Sequence, residues 1–396
     1  MPISKRISQI APSPTLSITA KAKKMQSEGI NVVGFGAGEP DFDTPLNIKE
    51  SAKRAIDKGF TKYTPTSGIK ELKDAICLKF KMDNGLIYSP EEVIVSCGAK
   101  HSLFNAILTL CDEGDEVILP APYWVSYAEM IKVAGAIPVI IETTKESDFK
   151  ITAKQLKDAI TSKTKLFILN SPSNPTGMVY NEDEMKELKE IIVKAGIYCI
   201  SDEIYEKIIY EAKHISIASL GEDIRKQTIV VNGVSKVYSM TGWRIGYAAG
   251  PKEIIQAMSN LQDHSTSNPT SISQVASVEA LNGVQDDLKT MTGEFRKRRD
   301  YMVEKVNAIK GLSVSNPQGA FYCWVDISKI LGKSFGGEAI KDSFALTDML
   351  LSDVWVAVVP GCVFGDDRYI RLSYATSMEN IIEGLNRIEK FASQVA

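Results

Sequence analysis

The segment Asn232-Gly233-Val234-Ser235-Lys236 places a lysine in a run of small and apolar residues. Such surroundings lower an ammonium pKa and make the amine a nucleophile able to form a Schiff base with a carbonyl. Eight residues on, Arg244 supplies a planar fork of donors suited to phosphate. A second group lies upstream. Ser171-Pro172-Ser173-Asn174-Pro175-Thr176-Gly177 closes one apolar run with a tight turn, and Ser201-Asp202-Glu203-Ile204-Tyr205 closes the next. A carboxylate at a strand end that faces a cleft can be a permanent partner for a cationic ring nitrogen. Taken singly, these two segments have plainer explanations: Asn174 in the Asx-turn of an ordinary loop, Asp202 as a helix cap. The lysine loop with its nearby arginine is the strongest of the three signals.

Two other patterns point to chemistry and fail on detail. In Val32-Val33-Gly34-Phe35-Gly36-Ala37-Gly38-Glu39-Pro40 the third glycine of a dinucleotide fingerprint falls on Glu39. Pro40 and Pro45 then forbid the immediate helix that a pyrophosphate site needs, although the glycines still let backbone N–H groups approach an anion. The basic run Arg296-Lys297-Arg298-Arg299 is flanked by Glu294, Asp300 and Glu304 at helical spacing. It reads as a solvated helix face rather than a nucleic-acid patch.

The elements that must position these residues follow from hydrophobic patterning. Short apolar runs at Val93–Ser96, Glu116–Leu119, Ile137–Ile141, Lys165–Leu169, Ile197–Ser201, Thr228–Val231 and Ile245–Ala249 read as strands. Helical or turn-plus-helical stretches follow the first five: Lys100–Leu110, Trp124–Ala134, Thr152–Ile160, Asn181–Lys194 and Glu203–Tyr210. This alternation predicts an α/β fold with a mostly parallel seven-stranded sheet covered by helices on both faces. Between Val231 and Ile245 there is no helical period, so the last strand is expected to run antiparallel to its neighbour. Beyond about residue 290 a long charged helix (Thr292–Ile309), strands at Ala320–Val325, Val354–Val359 and Tyr369–Ser373, and further helices describe a smaller α+β unit. The expected division is an N-terminal arm at 1–44, a large domain at 45–290 and a small domain at 291–396.

Composition bounds the partners. Across 396 residues the charge is −3, with 46 basic and 49 acidic side chains, so no overall field favours nucleic acid or an anionic membrane. No apolar run reaches the roughly 18 residues of a membrane span. The six cysteines are scattered without a CxxC pair, so no metal or redox motif is visible and reduced core thiols are expected. The start, Met1-Pro2-Ile3-Ser4-Lys5-Arg6, lacks an apolar stretch behind its charges. A cytoplasmic protein is therefore expected.

Taken together, these residues resemble the class I aminotransferases, a family of pyridoxal 5'-phosphate enzymes. The lysine segment fits the family pattern from Gly233 through Gly246, and the resemblance covers nearly the whole chain. The Asn-Pro-Thr-Gly turn, Asp202 with Tyr205, and Arg371 in Tyr369-Ile370-Arg371-Leu372-Ser373 match in order and spacing. Gly38-Glu39-Pro40-Asp41-Phe42 and Pro122-Tyr123-Trp124-Val125-Ser126-Tyr127 resemble the prokaryotic, aspartate-using branch. The resemblance implies a fold-type I transferase, a homodimer with shared active sites, and a set of roles. Lys236 would hold the cofactor covalently and shuttle the proton. Asp202 would keep the ring nitrogen protonated, while Tyr205 and Asn174 would hydrogen-bond the ring oxygen. Trp124 would stack on the ring. Gly98, Ala99 and Lys100 at a helix start would take the phosphate with Arg244, joined by Tyr63 from the neighbouring subunit. Arg371 would clamp the substrate α-carboxylate, with the Gly38 backbone beside it.

Two departures from the family pattern stand out. Gly233 replaces a serine that contacts the phosphate in many members, and Asp263 replaces an arginine that several members donate across the dimer to a distal carboxylate. Lys100 is then the best remaining cation for such a carboxylate, with Asp263 either orienting it or favouring a cationic substrate. Aspartate with 2-oxoglutarate is the expected pair. The alternatives are aromatic or other amino acids, and a lyase or decarboxylase on the same fold. A nicotinamide oxidoreductase and a non-catalytic pyridoxal-binding regulator are the rivals of other classes.

Overall fold

The computed structural model describes residues 3–10 and 14–396. Met1, Pro2 and residues 11–13, all within the expected N-terminal arm, lie outside the described residues. The central sheet consists of β1 (Val93–Ser96), β2 (Glu116–Ala121), β3 (Ile137–Glu142), β4 (Thr164–Asn170), β5 (Tyr198–Asp202), β6 (Thr228–Gly233) and β7 (Gly246–Ala249). Their order is β1-β7-β6-β5-β4-β2-β3. β7 is antiparallel to both its neighbours, and the other pairings are parallel. The lysine-bearing connection between β6 and β7 holds only a 3-10 turn, Thr241–Trp243, as its lack of helical period requires. β1 and β4 to β7 are apolar and nearly all buried because helices cover both faces.

A second sheet, antiparallel, is built from β8 (Ser313–Val314), β9 (Tyr322–Asp326), β10 (Val359–Pro360) and β11 (Tyr369–Ser373), ordered β10-β11-β9-β8. Its strands share a hydrophobic core with Phe35, Phe295, Tyr205 and Ile208, so the cluster reaches the segment that follows β5. The N-terminal segment joins this unit directly, since Val33–Gly34 pairs in parallel with Val356–Ala357.

Three expectations need correction. Residues 203–210 form no helix. Their side chains are buried on several sides at once, and the backbone is tied to Gln318 and Gly319 instead. The long charged helix begins at Asp286 rather than near 292, with Asp286 and Asp287 in its first turn, where acids suit the helix dipole. The strand expected over 354–359 is split, with Val356–Ala357 pairing to Val33–Gly34 and Val359–Pro360 to β11.

Candidate active site

A cavity of about 380 Å³ opens between the two sheets, at the carboxyl ends of the parallel strands, where open α/β sheets bind ligands. Asp202 is the last residue of β5 and stands beside Asn170, the last of β4. Asp202 is buried and, among the described residues, has no cationic side chain in hydrogen-bond contact. The Tyr127 hydroxyl donates to its Oδ2 at 2.6 Å, and the Ile204 N–H donates to Oδ1 at 3.2 Å. Burial pushes its pKa up to about 6, against the opposing pull of those two hydrogen bonds.

Lys236 follows β6, and its ammonium donates to the Gly38 carbonyl at 2.5 Å. Burial lowers its pKa to about 8, with Glu39 opposing and Arg371 and Arg244 adding to the fall. This is the depression that a lysine among small, apolar neighbours should show.

Arg371 projects from β11 and is buried. One terminal nitrogen donates to the Asn174 side-chain oxygen and the other to the Gly36 carbonyl, each at 3.0 Å. Its Nε is buried and, among the described residues, has no hydrogen-bond partner. The turn after β4 is held in place by Asn170, whose side chain accepts from the Asn174 N–H at 2.9 Å and donates to the Asp202 carbonyl at 3.0 Å.

The opposite end of the cavity is exposed. The helix Ala99–Leu110 starts there with no side-chain cap, so its first N–H groups can take an anion. Gly98 has φ +88°, and a Cβ on it would strike the Arg244 guanidinium. Arg244 is anchored on the carbonyls of Thr241 at 2.8 Å and Cys97 at 3.1 Å. Lys100 lies over the Trp124 ring at 4.8 Å, and Trp124 meets Tyr127 edge-on at 5.2 Å.

Of the residues singled out from sequence, Gly38, Ala99, Lys100, Trp124, Asn174, Asp202, Tyr205, Lys236, Arg244 and Arg371 line this one cavity, and Gly98 adjoins it. Tyr63 does not line it, and is 93% exposed. Asp263 is not in the cavity either; it accepts a hydrogen bond from Thr66, and among the described residues nothing pairs it with Lys100. Gly233 has a steric reason: a Cβ there would press on the Gly246 Cα, the Ile245 carbonyl and Ile204. Sequence reasoning missed Tyr127 and Tyr322. Tyr127 stands three residues after Trp124, a spacing that puts both on one side of a helical turn. Tyr322 carried no local signal beyond lying in an apolar strand.

Comparison with known proteins bears on this geometry. The family model described as "Aminotransferase class I and II" matches residues 30–388. An aspartate aminotransferase of Bacillus sp. (strain YM-2) is 53% identical over 98% of each chain. An aspartate/prephenate aminotransferase of Cereibacter sphaeroides is 48% identical over 99% of this chain and 98% of its own. The crystal structure of an aspartate aminotransferase from Rhizobium meliloti superposes with a TM-score of 0.97 over 100% of both chains, at 45% identity.

Proposed function

The chain belongs to the class I and II aminotransferases, and from that premise we propose that it moves the amino group of aspartate to 2-oxoglutarate, using pyridoxal 5'-phosphate held in the cavity between its sheets. The observation that carries this reading is the convergence of Lys236, Asp202 and Arg371 on one cavity. The donor set fits the cofactor. Asp202 is a buried carboxylate whose charge the chain does not neutralise by direct contact, and a ring N–H would complete it. The exposed helix start and Arg244, brought close by the absence of a side chain at Gly98, form a cradle for a phosphate.

When bound, the cofactor supplies an electron sink for the carbanion left when the substrate loses its Cα proton. The chain's own residues do the rest. Asp202 holds a proton on the ring nitrogen, and Tyr127 and the Ile204 N–H fix its carboxylate. Lys236 Nζ, with a pKa near 8, is the base that accepts the Cα proton. Arg371 offers its guanidinium to the α-carboxylate, while Asn174 and Gly36 stop it from turning. Trp124 covers one side of the cavity. Lys100 stands at the mouth and meets the distal carboxylate of a dicarboxylic substrate, whose uncompensated charge would otherwise be costly there.

The test is optical. Purified protein should show a visible cofactor band that disappears on adding aspartate and returns with 2-oxoglutarate. Phenylalanine and lysine should act at least tenfold more slowly. Lys100→Met should lower kcat/KM for aspartate by about 30-fold while leaving phenylalanine nearly unchanged. A band that ignores every amino acid overturns the reading, and equal rates for the three overturn the substrate.

The same reading makes the protein a homodimer in which Tyr63 serves the neighbouring site. Its 93% exposure within one chain supports this. Mixing Tyr63→Phe with Lys236→Ala should regain activity as subunits exchange, and an active monomer in sedimentation would refute it. The division into arm, large domain and small domain at 44 and 290 belongs to the proposal as well, supported by the separate sheets. The cysteines are all unpaired, which supports placing the protein in the reducing cytoplasm. Among the described residues no helix is long and apolar enough to cross a membrane.

A further inference from the structure

Tyr322 is a buried residue of the cavity that the reading above does not use. It sits on β9, in the small sheet, yet touches a side chain from the segment that follows β5 of the large sheet. Its hydroxyl lies 2.8 Å from the Tyr205 hydroxyl, and the two rings meet edge to face at 5.8 Å. The Arg371 guanidinium lies over its ring at 4.4 Å. Phe321 packs against both tyrosines, with ring centroids 5.5 Å from Tyr205 and 4.7 Å from Tyr322. Both hydroxyls are therefore held in place rather than free to seek other partners. Burial raises both phenol pKa values, so each keeps its proton.

We propose that Tyr322 is a positioning residue with two separable parts: a hydroxyl that donates to Tyr205, and a ring face that holds Arg371. The proposal rests on the assignment of Tyr205 to the cofactor ring oxygen and of Arg371 to the substrate carboxylate. A phenol has one hydrogen. Once Tyr205 gives its hydrogen to the ring oxygen, the 2.8 Å contact has Tyr322 as its donor. A phenol that accepts a hydrogen bond becomes a stronger donor itself. Tyr322 thereby strengthens Tyr205's hold on negative charge at the ring oxygen. Stronger stabilisation of that charge favours loss of the proton next to it, at the nitrogen joining Lys236 to the cofactor, and lowers the pH at which the loaded enzyme changes colour. The ring acts elsewhere. The Arg371 guanidinium lies over its face at 4.4 Å, and a cation so seated is held in place.

The two parts separate in two variants of the cofactor-loaded enzyme. Tyr322→Phe keeps the ring and removes the hydroxyl. The pH midpoint of its visible absorption should rise by about half a unit to one unit, while its dissociation constant for succinate, an unreactive dicarboxylate, stays within about threefold of wild type. Tyr322→Leu removes both. It should show the same rise and in addition bind succinate about tenfold more weakly. If Tyr322→Leu melts before loading cofactor, Tyr322→Met serves in its place. Tyr205→Phe is the control and should raise the midpoint further than Tyr322→Phe. If Tyr205→Phe moves the midpoint and Tyr322→Phe does not, the relay is overturned. If Tyr322→Leu binds succinate as tightly as Tyr322→Phe, the support of Arg371 is overturned. If Tyr205→Phe leaves the midpoint unmoved, the assignment of Tyr205 falls, and the relay with it.

Discussion

At the end of β5 the chain sends Asp202 into the cavity, and Glu203 and Glu206 into a separate buried group. Glu203 accepts from the hydroxyls of Ser201 at 2.9 Å and Ser216 at 2.6 Å, and faces His214 Nε2 at 3.0 Å. Glu206 is in direct contact with Lys79 and accepts from the Asn84 amide at 3.0 Å. Among the described residues, Asp202 has only a tyrosine hydroxyl and a backbone N–H as hydrogen-bond donors. The consequences have opposite sign. Burial lifts Asp202 to about 6. Burial also works to raise Glu206, but Lys79 and His214 outweigh it and hold Glu206 below the usual carboxylate range. His214 is raised in turn, since Glu203 and Glu206 outweigh its burial. A buried carboxylate that the chain itself neutralises is structural. One left without a cation in direct contact is where a cationic ligand is expected.

The largest effect should come from removing the cavity's own amine. Lys236→Ala should lower turnover by about 10⁵-fold or more, because in the proposed mechanism one atom both links the cofactor and moves the proton. The melting temperature of its cofactor-free form should stay at or above that of cofactor-free wild type, since burial disfavours the lost charge. Substantial turnover in that variant would remove the premise of the comparison.

Asp202→Asn should lower kcat by about 10³-fold while phosphate contacts keep the cofactor bound, as measured by the protein's visible absorption after dialysis. A change of only a few-fold would place Asp202 with Glu203 and Glu206 among the structural carboxylates. Glu206→Gln is the converse. It strands Lys79 without its buried partner and should cost about 3 kcal/mol of stability in urea unfolding, with kcat of the folded fraction within a few-fold. A stable, inactive Glu206→Gln enzyme would contradict the division drawn here.

The smallest effect is also the most diagnostic. In cofactor-free protein, the Asp202 pKa is raised from 3.8 to about 6, so the folded state binds more protons than the unfolded state between those values. Stability contributed by this group is present below 3.8 and is lost as pH rises through about 6. Asp202→Asn should therefore stabilise cofactor-free protein by about 1–2 kcal/mol at pH 7 and not at pH 3.5. The Asn side chain can still accept from one of the two donors, and the Tyr127 hydroxyl can turn to accept from its amide. Destabilisation at pH 7 would show that Asp202 is already compensated.

Much of this site was legible before folding, and the reason is local. Lys236, Asp202 and the Asn174 turn each lie within a few residues of a strand end, and a strand end is marked by where an apolar run stops. The antiparallel β7 was legible because a missing helical period is visible in the chain itself. Residues 203–210 misled for the opposite reason. Their apolar spacing passes for a helix, but Tyr205 and Glu206 each reach a partner far away in sequence while Glu203 turns to His214, and no single helix face could serve them all.

What the sequence by itself determined is the set of reactive groups and the alternation that places several of them at the carboxyl ends of parallel strands. The tertiary structure alone decided which groups meet. Tyr127 joins Asp202 across 75 residues, Tyr205 joins Tyr322 across 117, and Arg371 joins Asn174 across 197. Contacts at such separations leave no periodic trace, because each depends on strand order and on the docking of the small sheet against the large one. The same docking decides which buried charges find partners inside the chain and which, like Asp202, are left facing a cavity.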